Sequence, residues 1–226
     1  MATCEVEIKS LLGSKERALK LRQDLQKNDS SSRCVARSSQ LNHYFVGGDT
    51  AKLKDMLTEK FSAEEQKKFS DILERGKDFS IRTRLIDGEK LLFVLKASLD
   101  EGTSHNTVSR LEFETAIPGM SIEELDRLLL DAGFSYQAKW SREREEYSYK
   151  GATVCLDKNA GYGYLAEFEK VLDDEKGIPA AKRELLELMR QLGAEELPQE
   201  RLERMFSFYN AHWPQYYGTE KVFVVE

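Results

Sequence analysis

Single alternation opens the chain: Cys4, Val6 and Ile8 fall on one side, and Glu5, Glu7 and Lys9 on the other. A period of two predicts a strand with one dry face. The pattern then lengthens to a helical period over Lys15 to Lys27, and Asn28 to Ser32 is polar loop. Arg37 to Val46 returns to strand and is closed by Gly47-Gly48. Thr50 to Gly76 is helical, with Leu53, Met56 and Leu57 and then Phe69, Ile72 and Leu73 at helix spacing. Within it, Ser62 and Glu65 stand at the spacing of a capping box between two short helices. Phe79 to Ile86 and Lys90 to Ala97 flank Asp87-Gly88, a favoured hairpin turn. Thr107 to Ile117 predicts a further strand, and Ser121 caps a helix that runs through Ala132 to a stop at Gly133. Phe134 to Tyr149, Thr153 to Asp157 and Gly163 to Lys170 complete the strands. From Pro179 the chain is helical again, followed by a second helix over Gln199 to Asn210 and an aromatic tail at Trp213, Tyr216 and Tyr217. Without an internal repeat or a long Pro/Gly/Ser linker, this order predicts one α+β domain over residues 1–226, with antiparallel strands to about residue 170. A helical insert occupies about 50–77 and terminal helices about 178–212.

The polar sides of these strands carry ions of both signs. Arg82 and Arg84, Arg110 with Glu112 and Glu114, Arg142 and Arg144, and Glu167 and Glu169 are each spaced by two, so each set shares a face. Lys96 adds another cation. One such strand is explained by a solvated face with cross-strand ion pairs. The repetition over many strands points instead to an antiparallel barrel whose charged faces line a lumen. Buried without a ligand, that lining is costly. Phosphate oxygens suit the basic residues, and Arg binds them in bidentate fashion. The carboxylates suit a hard divalent cation such as Mg²⁺ or Mn²⁺.

Composition narrows the class. Of 226 residues, 40% are hydrophobic, enough for a core. Lys plus Arg number 34 against 40 Asp plus Glu, a net charge of −6, which argues against general nucleic-acid binding. The three cysteines, Cys4, Cys34 and Cys155, are far apart, so neither a disulfide framework nor a zinc ribbon is expected. The first residues carry no apolar leader, and no apolar run reaches the roughly 18 residues of a membrane helix. These features predict a soluble cytoplasmic protein.

The charged strands resemble the CYTH family, the triphosphate tunnel metalloenzymes. Glu5-Val6-Glu7-Ile8-Lys9 matches its opening E-x-E-x-K. Gln40-x-Asn42-x-Tyr44 resembles the second-strand Q-x-D-x-Y, with Asn in place of Asp. Arg82-x-Arg84, Lys96, Arg110-x-Glu112-x-Glu114 and Arg142-x-Arg144 follow in the family's order. Asp157, Gly161-Tyr162-Gly163 and Glu167-x-Glu169 resemble its closing segment. The resemblance implies an eight-stranded antiparallel tunnel with flanking helices that takes a triphosphate-bearing small molecule and Mg²⁺ or Mn²⁺. It implies that Lys9, Arg82, Arg84, Lys96, Arg142 and Arg144 hold phosphates, with Arg110 among the catalytic basic residues. It gives Glu5, Glu7, Glu112, Glu114, Asp157, Glu167 and Glu169 the metal or the positioning of water.

Family members hydrolyse inorganic, thiamine or RNA triphosphates, or cyclise ATP. Class IV cyclases carry a His-Phe pair five to six residues before the first Glu of E-x-E-x-K. The four residues before Glu5 leave no room for that pair in the chain as given, which favours a triphosphatase over a cyclase. A non-catalytic triphosphate or nucleotide sensor is the third reading, kept open by Asn42. Trp140, Tyr147, Tyr162 and Tyr164 offer rings for a thiamine group, although core packing explains most of them. His43 lies between the lumen-parity residues Asn42 and Tyr44 and reads as structural, His105 as solvated loop and His212 as tail. Ser98, Ser104 and Ser109 lack a G-x-S-x-G elbow. Gly161-x-Gly163 reads as a strand-to-strand turn. The amphipathic helices pack outside the barrel by default, with a homodimer or partner surface as the alternative.

Overall fold

The computed structural model describes residues 4–98, 110–172 and 175–225. Eight strands appear: β1 (Cys4–Leu11), β2 (Arg33–Gly47), β3 (Lys77–Ile86), β4 (Lys90–Ser98), β5 (Arg110–Ala116), β6 (Phe134–Tyr149), β7 (Ala152–Asn159) and β8 (Gly163–Leu172). All pairings are antiparallel, and the strands close into a barrel in the order β1-β5-β4-β3-β2-β6-β7-β8. The closing seam rests on one described register pair, Glu5 with Arg110. Ser104, His105 and Ser109, and the first residues of the strand expected from Thr107, lie outside the described residues.

Local chemistry accounts for the boundaries. Asp87 and Gly88 turn β3 into β4 with φ of 53° and 73°, the left-handed pair that a tight hairpin needs. Ser62 and Glu65 form the expected capping box on α3 (Ala63–Arg75), and Ser121 with Glu124 forms another on α4 (Ile122–Asp131). β2 begins at Arg33, four residues earlier than the sequence pattern indicates. Its extension, Arg33 to Ala36, is largely exposed and pairs with the end of β6, Arg33 opposite Ser148, across a bulge between Cys34 and Ala36. Pairing with a long neighbour, rather than apolar alternation, holds this stretch extended.

Helices cover the barrel in two groups. α1 (Lys15–Asn28) and α5 (Ile178–Gln191) bury Leu21, Leu25, Leu185 and Met189 against the outward residues Val6, Ile8, Val154 and Phe168. α2 (Thr50–Leu57), α3 and α4 bury Leu53, Phe69, Leu125 and Leu129 against Phe45, Ile81, Phe93 and Phe113. A third apolar cluster sits at one end of the lumen. There the inward-parity residues Leu11, Ala138, Trp140 and Leu165 pack with Leu202, Met205, Phe206 and Tyr209 of α6 (Gln199–His212). Helix α6 therefore stoppers that end. Beyond it, Lys221 and Phe223 exchange backbone hydrogen bonds with Gly161 at 2.8 Å. Gly161 must be glycine: φ is +83°, and a Cβ there would stand 2.6 Å from Tyr209 and 2.9 Å from Phe223. Among the described residues no helix is long and apolar enough to cross a membrane.

Candidate active site in the barrel lumen

Register decides which side chains meet. Directly opposed residues on antiparallel strands share a face. Opposed pairs include Glu7 with Glu169, Lys9 with Glu167, Lys96 with Glu112, Asn42 with Arg84, Tyr44 with Arg82, Gln40 with Arg142 and Arg144 with Asp157. Their neighbours of opposite parity, such as Val6, Ile8, Ile81, Phe93 and Phe168, are buried in the outer core. The described charged side chains singled out in the sequence thus share the lumen. Arg110 takes its place through its backbone; its side chain lies outside the described part of the structure.

Most of these ions are paired with one another. Lys9 Nζ reaches Glu7 at 2.7 Å and Glu167 at 3.0 Å, and Lys96 Nζ reaches Glu5 at 2.9 Å and Glu112 at 3.0 Å. Arg84 donates to Asn42 Oδ1 at 2.8 Å and to Glu114 at 3.0 Å. Arg142 donates to Gln40 at 2.9 Å and to Asp157 at 2.8 Å. Arg144 binds Asp157 through two contacts of 2.7 Å and also binds Glu167. Asp157 and Glu167 are thereby engaged chiefly by cations. Burial raises the Glu167 carboxyl, but Lys9, Arg144 and Arg142 outweigh it and hold its pKa well below the usual range.

Two sets of like charge stand close together, although Lys9 outweighs the burial of Glu7 and holds its carboxyl down, and Arg142 is paired with Asp157. On β1 and β8, carboxylate oxygens of Glu5, Glu7 and Glu169 lie within 4.8 Å of one another. Burial, and then Glu167, push the Glu169 carboxyl up to about 8, only partly opposed by Arg144. Burial also raises Glu5, with Glu7 and Glu112 adding to it and Lys96 opposing. Across the barrel, burial and the neighbouring Arg82 and Arg142 press the Arg84 guanidinium down to about 10 despite Glu114. Arg82 donates to Tyr44 Oη at 2.8 Å, while its buried Nε has no partner among the described residues. The same three arginines pull the Tyr44 phenol below its ordinary range against its burial. The lumen thus holds a crowded carboxylate group facing a crowded guanidinium group. The first fits a hard divalent cation, since oxygen donors of like charge gain most from an intervening ion. The second fits an anion.

Several contributors carry no obvious sequence signal. Cys155 is opposed to Glu167 in the lumen and fully buried, and burial raises its thiol pKa. On the outer side of β2 and β3, His43 Nδ1 lies 2.6 Å from Asp126 Oδ2, and Thr83 donates to Asp126 Oδ1 at 2.7 Å. Tyr136 donates to Asp126 Oδ2 at 2.7 Å, and His43 Nε2 lies 2.7 Å from the Tyr217 hydroxyl. His43 is structural in this setting, as its parity indicates. Asp126 leaves one readable trace: it falls among Ile122, Leu125 and Leu129 on the buried face of α4, where a charge needs partners. The ring of Trp140 packs on Tyr162 at 4.7 Å and on Tyr209 at 3.8 Å, consistent with a packing role.

Comparison with known proteins agrees with this architecture. The family model for the CYTH domain matches residues 3–201. Comparison with curated proteins yields no match. Among solved structures, a conserved hypothetical protein from Pyrococcus furiosus superposes with TM-score 0.61 at 21% identity, covering 87% of this chain and 98% of that one. A protein from Pyrococcus horikoshii gives 0.58 at 21%, covering 88% and 99%. A "putative adenylate cyclase" from Vibrio parahaemolyticus gives 0.58 at 15%, covering 92% and 99%. At these identities the likeness establishes the fold. The chain belongs to the CYTH family, whose members include triphosphatases and adenylate cyclases.

Proposed function

We propose that this CYTH protein hydrolyses the terminal phosphoanhydride bond of a small triphosphate-bearing substrate in its lumen, with Mg²⁺ or Mn²⁺ as cofactor. One observation carries the reading: the crowded guanidiniums of Arg82, Arg84 and Arg142 face the crowded carboxylates of Glu5, Glu7 and Glu169 in a single cavity. A polyanion relieves the first group, a divalent cation relieves the second, and a metal triphosphate supplies both.

In this reading Arg82, Arg84, Arg142 and Arg144 hold the non-bridging phosphate oxygens, and Lys9 and Lys96 neutralise charge at the acidic wall. Glu5, Glu7 and Glu169 hold the divalent ion, which when bound offsets negative charge on the phosphate oxygens. Water contributes its oxygen to the terminal phosphorus, and the bridging P–O bond breaks with its electron pair going to the departing diphosphate. The proton lost by water goes to a lumen carboxylate and from there to solvent. The chain's contribution is placement and charge neutralisation in the barrel lumen, the main source of catalysis in phosphoryl transfer. Because α6 stoppers one end, substrate enters from the other.

Product analysis tests the reading. Purified protein is given tripolyphosphate or ATP with Mg²⁺ or Mn²⁺. Orthophosphate from tripolyphosphate without cyclic AMP from ATP is the expected result. Cyclic AMP with pyrophosphate from ATP would replace it with the cyclase reading, and binding without any product would replace it with a sensor.

A further inference from the structure

The outer cluster around Asp126 stands at a particular register. Three consecutive opposed pairs join β2 and β3: Asn42 with Arg84, His43 with Thr83, and Tyr44 with Arg82. The first and third point into the lumen, where Arg84 donates to Asn42 and Arg82 to Tyr44, both at 2.8 Å. The middle pair points out, and both of its members bind the one carboxylate of Asp126, at 2.6 and 2.7 Å. Asp126 is 2% exposed and His43 3%, so neither has a water-filled alternative. Tyr136 of β6 binds the same carboxylate at 2.7 Å, and Lys139 approaches it at 3.8 Å. With His43 Nδ1–H donating to Asp126, Nε2 accepts the proton of the Tyr217 hydroxyl at 2.7 Å. Tyr217 lies in the segment after α6, C-terminal of residues 3–201 matched by the family model. That segment is also tied by Gly218 N to Ser141 Oγ at 2.9 Å and by the Gly161 bonds.

We propose that Asp126, with Thr83, His43 and Tyr217, is a positioning device for phosphate binding. It clamps the back of the β2–β3 ladder and so fixes the spacing and direction of Arg82 and Arg84 inside, and through Tyr217 it makes that geometry depend on the docked C-terminal segment. The inference rests on the reading that these arginines hold the triphosphate. Physical reasons favour it. Successive strand residues share one backbone, so tilting Thr83 or His43 redirects both flanking side chains. A buried carboxylate that accepts from several strands has one low-energy arrangement, because leaving any donor unpaired is costly. Inside, Arg84 is held by Asn42 and Glu114 and Arg82 by Tyr44; the outer bonds fix the β2–β3 backbone that carries both arginines and the partners Asn42 and Tyr44.

The test measures tripolyphosphate binding by calorimetry in chelator-treated buffer, and KM and kcat with Mg²⁺. Thr83→Val keeps shape and strand propensity and removes one donor to Asp126. It is expected to raise the dissociation constant and KM roughly five- to tenfold, the scale of one lost buried hydrogen bond, with kcat within about twofold. Thr83→Ser restores the hydroxyl and is expected to return wild-type affinity. Leu185→Val loosens the core under α5, away from this ladder, and is expected to lower the melting midpoint without changing affinity. Unchanged affinity in Thr83→Val, or equal weakening by Leu185→Val, would overturn the proposal. Should Thr83→Val fail to fold, Tyr217→Phe takes its place, with an expected weakening of about twofold and the same affinity as wild type as the refuting result. If the wild type itself binds no tripolyphosphate, the functional reading fails and the inference with it. Binding by the wild type together with an indifferent Thr83→Val refutes the inference alone.

Discussion

The two halves of the barrel wall are built in opposite ways. Behind the carboxylates of β1 and β8 lies a mainly apolar layer, with Val6, Ile8, Ala166 and Phe168 packed under Leu185 and Met189 and with Ser10 and the Lys170–Glu184 pair as polar members. Behind the arginines of β3 lies a polar knot, Thr83, His43 and Asp126, set into an otherwise apolar layer that includes Ile81 and Phe45. The difference teaches where direction has to be imposed. Carboxylates that converge on an ion can be aligned by the ion itself. Guanidiniums set side by side repel one another, and under the proposed function bonds with a fixed angle keep them directed before an anion arrives. An apolar layer supplies burial but little orientation; hydrogen bonds supply both.

The largest effect that would sharpen the contrast is on stability. Phe168→Ala, in the apolar layer, is expected to cost about 3–5 kcal/mol in denaturant unfolding, since Phe168 is fully buried. Next is the acidic wall itself. Glu7→Gln is expected to lower kcat for phosphate release about 100-fold or more, equivalent to roughly 2.7 kcal/mol, with the fold retained by circular dichroism. Retained turnover at saturating Mg²⁺ would remove Glu7 from the metal set. Arg84→Ala is expected to weaken tripolyphosphate binding about 10-fold, read by calorimetry, and equal affinity would place the anion elsewhere.

The smallest effect concerns pH and the polar knot. Burial raises the Asp126 carboxyl, but hydrogen bonds from His43, Thr83 and Tyr136 outweigh it, so its folded pKa lies below its ordinary value of 3.8. A depressed carboxylate contributes stability that is full above the unfolded pKa and is lost as pH falls through the folded one. Asp126→Asn is therefore expected to be about 1 kcal/mol less stable at neutral pH, and the gap is expected to narrow below about pH 3.8. A gap that persists undiminished in acid would assign the loss to packing instead.

Much of the lumen was legible because its chemistry is periodic. Glu5-x-Glu7-x-Lys9 and Arg82-x-Arg84 declare both their secondary structure and their shared face, and the eight strands emerge in sequence order. The knot behind Arg82 and Arg84 was not legible. Nothing along β2 or β3 marks His43 or Thr83 as a partner of a buried carboxylate, and Asp126 is distant in sequence from both. The start of β2 is not legible because Arg33 to Ala36 lack apolar alternation and are held by pairing with β6. The Gly161-x-Gly163 turn is legible, but the reason for its first glycine lies in the approach of Tyr209 and Phe223, which only the tertiary structure supplies.

The lumen's internal ion pairs have a thermodynamic consequence. Lys96 holds Glu5 and Glu112, and Lys9 holds Glu7 and Glu167, so the protein's own carboxylates act as resident competitors for any anion that enters. A cation that draws Glu5 and Glu7 away releases those lysines toward the anion, and reciprocity requires the anion to strengthen the cation in equal measure. The two ligands should titrate as heterotropic partners, each shifting the other's binding curve by the same factor, in a protein that presents neither with a fully free site.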